Sequence, residues 1–364
     1  MKIKRMVISG INLSEGGPLS VYHDLCDSLL KSKNIEDYRI TLFVHKRELF
    51  VKYEDFFEII ELPKSRKSWV MRLFYEYLYF YVYSRNQEID IWLSMHDITP
   101  NVVAKKRITY CHNATFCFKA NLNIWKFDKK VYLFSKFYKY LYAINIRKNK
   151  HVIVQQNWIA NEFMKAYKVA SVYVLHPNVN INIPIVVDNS NSIPIFVYPT
   201  FPRAFKNIET VCEAIILLKK MTTKKFQFWV TIDKNQNKYA QYLVEKYSYI
   251  SEIKFVGLKT REQVYEMYNE SSCLIFPSKL ETWGLPITEY KFFNKPIIVA
   301  DEKYAIETIG NYNKAIYFES DNTRKLAGFM LDHIEGVSKY HVRTIERSAQ
   351  MVSSWDEALL GEEK

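Results

Sequence analysis

Short continuous apolar runs alternate along the chain with stretches whose apolar positions recur every third or fourth residue. Runs at residues 2–11, Ile40–His45, Glu58–Leu62, Ile89–Met95, Arg107–Cys111, His151–Gln155 and Val172–Leu175 are rich in β-branched residues. Such runs predict parallel strands buried on both faces. After the first of them a helix is predicted from Pro18, with the stripe Leu19, Tyr22, Leu25 and Leu29. Residues 176–193 mix Pro, Asn and Ser without a sustained period and read as a linker. The alternation then resumes. Strands are predicted at Ile193–Tyr198, Phe226–Thr231, Ile253–Val256, Cys273–Phe276, Pro296–Ala300 and Ala315–Phe318. Helices are predicted from an Asn207 cap to Lys220, at Lys238–Tyr247, Thr260–Asn269 and Pro286–Phe293, and from Asn322 or Thr323. The pattern is α/β: two doubly wound, Rossmann-like domains at 1–180 and 190–340 facing across a cleft. A last helix over about 342–360 is expected to pack back on the first domain.

At 364 residues and 48% hydrophobic content, the chain is long enough for two cores. Five Cys in no CxxC grouping argue for a reducing compartment and against a disulfide framework or a zinc site. The apolar run of the opening MKIKRMVISGIN is too short for a signal peptide, and no window is long and apolar enough for a membrane span. A cytoplasmic protein, peripheral at the inner face of the cell membrane, is expected. Net charge sharpens this picture. Residues 1–170 hold 28 Lys and Arg against 16 Asp and Glu, whereas residues 171–364 hold 23 of each. The basic balance of +12 therefore lies in the first half and points to an anionic partner there. Two aromatic segments stand out in that half. Trp69–Ser84 is dense in Tyr and Phe but contains Arg72 and Glu76, and residues 119–150 carry nine Lys or Arg with eight aromatics. Both suit a surface lying on a membrane; both equally suit a helix packed on its own sheet with a solvated basic face.

The candidate chemistry concentrates between Cys273 and Asp301. A buried strand ends at Pro277-Ser278, and a helix is predicted from Pro286, a residue suited to the first helical position. Gly284 lets the backbone approach a ligand, and the free N–H groups of the first turn suit a diphosphate. Glu281 precedes this turn and Glu289 follows it. A carboxylate can accept two hydroxyl hydrogen bonds, as the vicinal diols of a ribose or hexose offer. The plain structural alternative is a βαβ crossover whose acids merely sit near a helix N-terminus.

The E-x7-E spacing with an internal Gly-Leu-Pro resembles the signature of family 4 glycosyltransferases of the GT-B fold. Other matches follow in order: Gly16-Gly17 after the first strand, His112 at the end of the strand Arg107–Cys111, Lys206 before the first helix of the second domain, and Gly257 in Val256-Gly257-Leu258. The resemblance implies a retaining, metal-independent transfer of a sugar from a UDP- or GDP-sugar, with no other cofactor. It implies catalytic roles for His112, which orients the sugar, and Glu281, which holds sugar hydroxyls. It assigns donor binding to Gly16, Gly17, Arg203, Lys206, Gly257, Thr282, Gly284, Leu285, Pro286 and Glu289. Arg203 departs from the family's spacing, standing only three positions before Lys206, with Phe at position 201. No D-x-D pair occurs, so the metal-chelating site of the other large glycosyltransferase fold is not expected. His96-Asp97, ending a neighbouring strand, is a lesser candidate for acceptor binding. A lipid-linked oligosaccharide acceptor at the cytoplasmic membrane surface, in bacterial O-antigen or capsule assembly, is the implied setting. A nucleotide-sugar 2-epimerase shares the architecture. A sugar phosphorylase would need a pyridoxal phosphate Lys that no sequence context supplies. A nucleic-acid binder using the basic half lacks any recognised motif, so no nucleic-acid partner is expected.

Overall fold

A computed structural model describes residues 3–120, 122–179, 193–344 and 348–361. Much of the expected linker lies outside the described residues. Fourteen strands are assigned among the described residues: β1 Lys4–Gly10, β2 Tyr38–Val44, β3 Glu58–Glu61, β4 Ile91–Ser94, β5 Lys106–Cys111, β6 His151–Val154, β7 Val172–Val174, β8 Ile195–Tyr198, β9 Gln227–Val230, β10 Ile253–Phe255, β11 Cys273–Phe276, β12 Ile297–Ala300, β13 Ala315–Phe318 and β14 Gln350–Met351. They form two wholly parallel sheets, ordered β14-β7-β6-β5-β4-β1-β2-β3 and β10-β9-β8-β11-β12-β13. The strands β4, β6, β7, β8, β11, β12 and β13 are buried along their whole length, as expected of strands covered by helices on both faces.

The chain divides into two compact units: Met1–Cys117 with Lys136–Asn178 and Arg347–Lys364, and Phe118–Ser135 with Val179–Glu346. This departs from a simple cut after residue 180, because residues 118–135 belong to the second unit. In the first unit, the helix Gly16–Lys31 crosses β1 very closely. A Cβ on Gly10 would lie 2.2 Å from the Tyr22 ring, whose hydroxyl donates to the Ile8 carbonyl. Tyr22, Leu25 and Leu29 carry the expected stripe into a core with Ile8, Leu42, Leu93 and Ile153.

The C-terminal segment is not one long helix. A two-residue strand, β14, extends the first sheet beside β7, and a helix follows at Trp355–Leu360. Ser354 caps that helix by accepting from the Glu357 N–H, and Trp355 donates to Asp24 at 3.0 Å.

The aromatic segment Trp69–Ser84 resolves into a helix at Trp69–Phe74, a π-helical turn at Tyr75–Tyr79 and a helix at Phe80–Arg85. Its polarity is inverted. Arg72, Glu76, Phe80 and Ser84 are buried, four residues apart, while Val70, Phe74, Leu78 and Val82 are exposed at the same spacing, Val70 by 75%. No described helix is long and apolar enough to cross a membrane.

Candidate functional site

The second sheet changes direction at β8. From it the chain winds outward through β9 and β10, then returns to lay β11, β12 and β13 on the other side. In open parallel sheets, ligands bind outside the carboxyl ends of the two strands flanking such a switch point. Here those strands are β8 and β11, and their following loops carry Arg203 with Lys206 and Glu281 with Thr282. The loops are stitched together. The Lys279 N–H donates to the Phe205 carbonyl at 2.8 Å, and the Asn207 amide donates to the carbonyls of Pro277 and Ser320. Asn207 was expected to cap the helix beginning at Ile208, but its backbone is left-handed and its side chain makes no capping bond. Its amide oxygen instead accepts from Thr210, and its nitrogen ties three loops.

Lys206 and Glu281 meet directly. The Lys206 Nζ donates to Glu281 Oε1 at 2.5 Å. Both side chains are mostly buried, at 18% and 14% exposed. The ammonium also lies 5.7 Å from the Phe205 ring centroid and 5.9 Å from that of Phe276, where the negative ring faces favour a cation. Beneath this pair, Tyr198 donates to the Lys206 carbonyl and Tyr304 to the Ser278 carbonyl. Both phenols are pushed well up, first by burial and then by the nearby charge of Glu281.

Arg203, expected at the donor diphosphate, is paired within the protein. Its guanidinium is bound to Asp128 Oδ2 at 2.5 Å, and that carboxylate is only 8% exposed. The counter-ion comes from the segment 118–135, whose place in the second unit is not apparent from sequence order.

The turn after Glu281 is fixed from several sides. Thr282 is half-buried in the bend. The Trp283 indole donates to Thr288 at 2.8 Å, and the Trp283 carbonyl accepts from Thr308. Gly284 has φ +88°. A Cβ there would also approach Ile287 Cδ1 at 3.3 Å and Phe276 Cε1 at 3.5 Å, so the position favours glycine on both counts. The helix is Leu285–Lys291. It starts at Leu285, so Pro286 takes the second helical position rather than the first, and the helix ends before Phe293. Gly284 and Leu285 sit where first-turn N–H groups have no intrahelical acceptor, and Pro286 has no N–H to offer.

Glu289 lies in a separate group of side chains. Tyr268 donates to Glu289 Oε2 at 3.4 Å, and an Arg261 nitrogen lies 3.5 Å from Oε1. Arg261 Nε donates in turn to the Tyr265 hydroxyl. Burial raises the Glu289 pKa, while Arg261, Tyr268 and Tyr265 act against that rise. Arg261 and the two tyrosines come from the helix Arg261–Glu270, begun by a capping box of Thr260 and Gln263. Sequence reasoning did not single out these three residues. Gly257, after β10, has φ +73° and open space around its Cβ position, and its N–H donates to the Ile232 carbonyl. A left-handed turn accounts for the glycine.

The remaining predicted residues belong to the first unit. Gly16, with φ +68°, and Gly17 form the first turn of the helix Gly16–Lys31 rather than a loop before it. His112 follows β5, and its N–H donates to Asp97 Oδ1 at 2.8 Å. Burial lowers its pKa; Asp97 opposes this, while His96 and Arg72 add to it. The imidazole is therefore neutral at pH 7. His96, a lesser candidate, is fully buried with Nδ1 3.0 Å from Glu76 Oε1. That burial leaves it no open path to an acceptor. No group of His, Cys, Asp and Glu able to hold a metal ion occurs among the described residues.

Residues 179–351 match the family model described as Glycosyl transferases group 1, just under half of the chain. No curated protein matches in sequence. Among solved structures, a glycosyltransferase from Rickettsia africae ESF-5 superposes with TM-score 0.64 at 16% identity, covering 92% of this chain and 89% of that one. The apo form of the lipopolysaccharide outer core galactosyltransferase WaaB gives 0.65 at 12% identity, covering 93% and 92%. Anabaena HepE in complex with UDP and glucose gives 0.61 at 11% identity, covering 92% and 91%. The chain thus has the α/β fold of GT-B glycosyltransferases, two Rossmann-like parallel-sheet domains, and residues 179–351 match the group 1 glycosyltransferase domain.

Proposed function

We propose that this protein is a retaining, metal-independent glycosyltransferase of family 4 type that takes its sugar from a nucleoside diphosphate sugar. The observation that carries this reading is the joining of Lys206 and Glu281 at the switch point of the second sheet, beside the Gly284 turn. A donor diphosphate there would meet the N–H groups of Gly284 and Leu285 and the ammonium of Lys206. Glu281 holds hydroxyls of the transferred sugar and Glu289 the ribose diol, each as a two-site acceptor. HepE has been captured with UDP-glucose, which favours a UDP-sugar for this chain as well.

In the transfer step, an acceptor hydroxyl oxygen bonds to the anomeric carbon as the bond from that carbon to the phosphate oxygen breaks. The acceptor proton passes to the departing phosphate oxygen, so no protein nucleophile is needed and the anomeric configuration is kept. Lys206 offsets the charge that grows on the diphosphate. His112, being neutral, supplies one hydrogen bond to a substrate hydroxyl without adding a charge. Arg203 contributes only after exchanging Asp128 for phosphate.

A lipid-linked oligosaccharide acceptor, in assembly of a bacterial surface polysaccharide, fits the inverted helix of residues 69–85. Its outward stripe of Val70, Phe74, Leu78 and Val82 lies in a unit that carries most of the positive charge. The protein then works as a peripheral protein at the cytoplasmic membrane face.

Transfer is tested by incubating the protein with radiolabelled UDP- and GDP-sugars and a bacterial lipid-linked oligosaccharide fraction. Acceptor-dependent release of nucleoside diphosphate, with the donor's anomeric configuration in the product, is expected. Consumption of donor without acceptor would instead assign an epimerase.

A further inference from the structure

The buried face of the residue 69–85 helix carries charges that the proposed transfer does not use. Arg72 and Glu76 are 5% and 0% exposed in a stretch otherwise dominated by apolar and aromatic residues. Glu76 sits in the π-helical turn Tyr75–Tyr79, an irregularity frequent at functional sites. Neither carboxylate oxygen of Glu76 has a well-formed hydrogen bond, and His96 Nδ1 stands 3.0 Å from Oε1. Burying ions this deeply is costly, and apolar side chains of similar volume commonly serve stability as well or better. A structural role alone is therefore a weak reason for these charges.

The contacts lead from Glu76 toward His112. Arg72 donates from Nη2 to the His96 carbonyl at 2.8 Å, and its charge faces Tyr138, Glu76 and Asp97. Tyr138 donates to Asp97 Oδ2 at 3.4 Å. The other oxygen of Asp97 accepts the N–H groups of His112 at 2.8 Å and Asn113 at 3.1 Å. Asp97 is itself held at φ +73°, a conformation that a non-glycine residue keeps only when its surroundings impose it.

We propose that Glu76, with Arg72 and Tyr138, is a positioning residue for His112, keeping Asp97 on the amides that set the imidazole's place. Glu76 shares the charge of Arg72. Without it the guanidinium turns its full attraction on Asp97 and competes with the His112 and Asn113 N–H groups. This inference rests on the glycosyltransferase reading, since His112 has its role there.

The test compares Glu76→Gln and Tyr138→Phe with the wild type. Both variants keep side-chain shape, and circular dichroism checks that they fold. With the identified donor and acceptor, kcat is expected to fall at least about tenfold in Glu76→Gln and several-fold in Tyr138→Phe, which keeps Arg72 and Glu76 in place. Donor KM is expected to stay within about twofold, because the donor's nucleotide is bound by the second unit. Glu76→Asp, which keeps the charge, is expected to recover part of the lost rate. Wild-type kcat in both variants would overturn the positioning role while leaving the transferase reading intact. A parallel loss of kcat with structure, unrelieved by Glu76→Asp, would overturn it as well. A wild-type protein with no transfer to any acceptor would overturn both.

Discussion

Lys206 and Glu281, 75 positions apart, form one ion pair because the strands that precede them, β8 and β11, are neighbours at the centre of a parallel sheet. Each neutralises the other in a largely dry setting. In the proposed donor complex, phosphate on the lysine and sugar hydroxyls on the glutamate would replace this pairing, so that neither charge would be left alone.

The pair should show energetic coupling. Lys206→Met or Glu281→Gln alone leaves the partner without its contact, at a cost of about 1–3 kcal/mol. The double variant should recover about 1 kcal/mol relative to the sum, measured by urea unfolding in a double-mutant cycle. Transfer should fall about 10²–10³-fold in either single variant. Strict additivity would show that the two side chains do not depend on each other.

Gly284→Ala asks a β-carbon to occupy a left-handed backbone position with Ile287 and Phe276 alongside. A loss of about 1–3 kcal/mol is expected, together with weakened nucleotide binding, since the turn must shift. Calorimetry with UDP and GDP checks the second effect; unchanged affinity would separate this turn from the diphosphate.

Donor affinity should depend on the ionisation of Glu289. Its pKa is raised by burial above the ordinary 4.5, and only the carboxylate accepts two diol hydrogen bonds. Affinity should be full above that raised pKa and decline as pH falls through it. Arg261→Gln removes the facing cation, so the decline should begin at higher pH in the variant. Nucleotide binding measured between about pH 5 and pH 8 decides this; a variant titrating like the wild type would contradict it.

His333 should make the protein acid-sensitive. Burial against the second sheet lowers its pKa from 6.5 to about 4, and its ring nitrogen pairs with Ser272 at 3.0 Å. A depressed folded value means that the unfolded chain binds the extra proton first. Its contribution is therefore present above about pH 6.5 and is lost progressively toward pH 4, by on the order of 2–3 kcal/mol. Chemical denaturation of wild type and His333→Gln at pH 7 and pH 5 should show the pH-dependent loss reduced in the variant.

The outward stripe of the residue 69–85 helix should govern membrane association. Replacing Val70, Phe74, Leu78 and Val82 by Gln should reduce flotation with vesicles of anionic phospholipid at least tenfold. Full burial of even one such side chain is worth about 1.5–3 kcal/mol. Equal flotation of the variant, or no flotation of the wild type, would remove this surface from the account.

Much of the fold could be read from the sequence because parallel strands buried on both faces announce themselves as continuous apolar runs. Cys273–Phe276 and Ala315–Phe318 coincide with β11 and β13 to the residue. The helix predicted over Thr260–Asn269 is found at Arg261–Glu270, with Thr260 as its cap. Where tertiary pairing decides, local pattern failed: β14 exists because β7 offers an edge, and nothing in its two residues signals a strand. Asn207 looked like a helix cap, but its left-handed backbone diverts the side chain to neighbouring loops. The E-x7-E spacing located both carboxylates, but not the Arg261 that faces Glu289 nor the Asp128 that pairs with Arg203, because these two partners come from distant segments. Arg72 and Glu76 carried a readable clue, two opposite charges four apart in an aromatic helix. An apolar stripe turned outward hid which side was the core.

The central claim is that the second unit binds a nucleoside diphosphate sugar through the turn between Glu281 and Glu289. The most direct measurement is a thermal-shift titration of the protein with UDP, GDP, CMP and their sugars, repeated on Glu289→Ala. A ligand at a hundred times its Kd stabilises by about 2.7 kcal/mol, enough for a clear rise in Tm. The account predicts a rise with one nucleoside diphosphate and its sugar, largely lost in the variant. No rise with any of them, or an equal rise in Glu289→Ala, would contradict it.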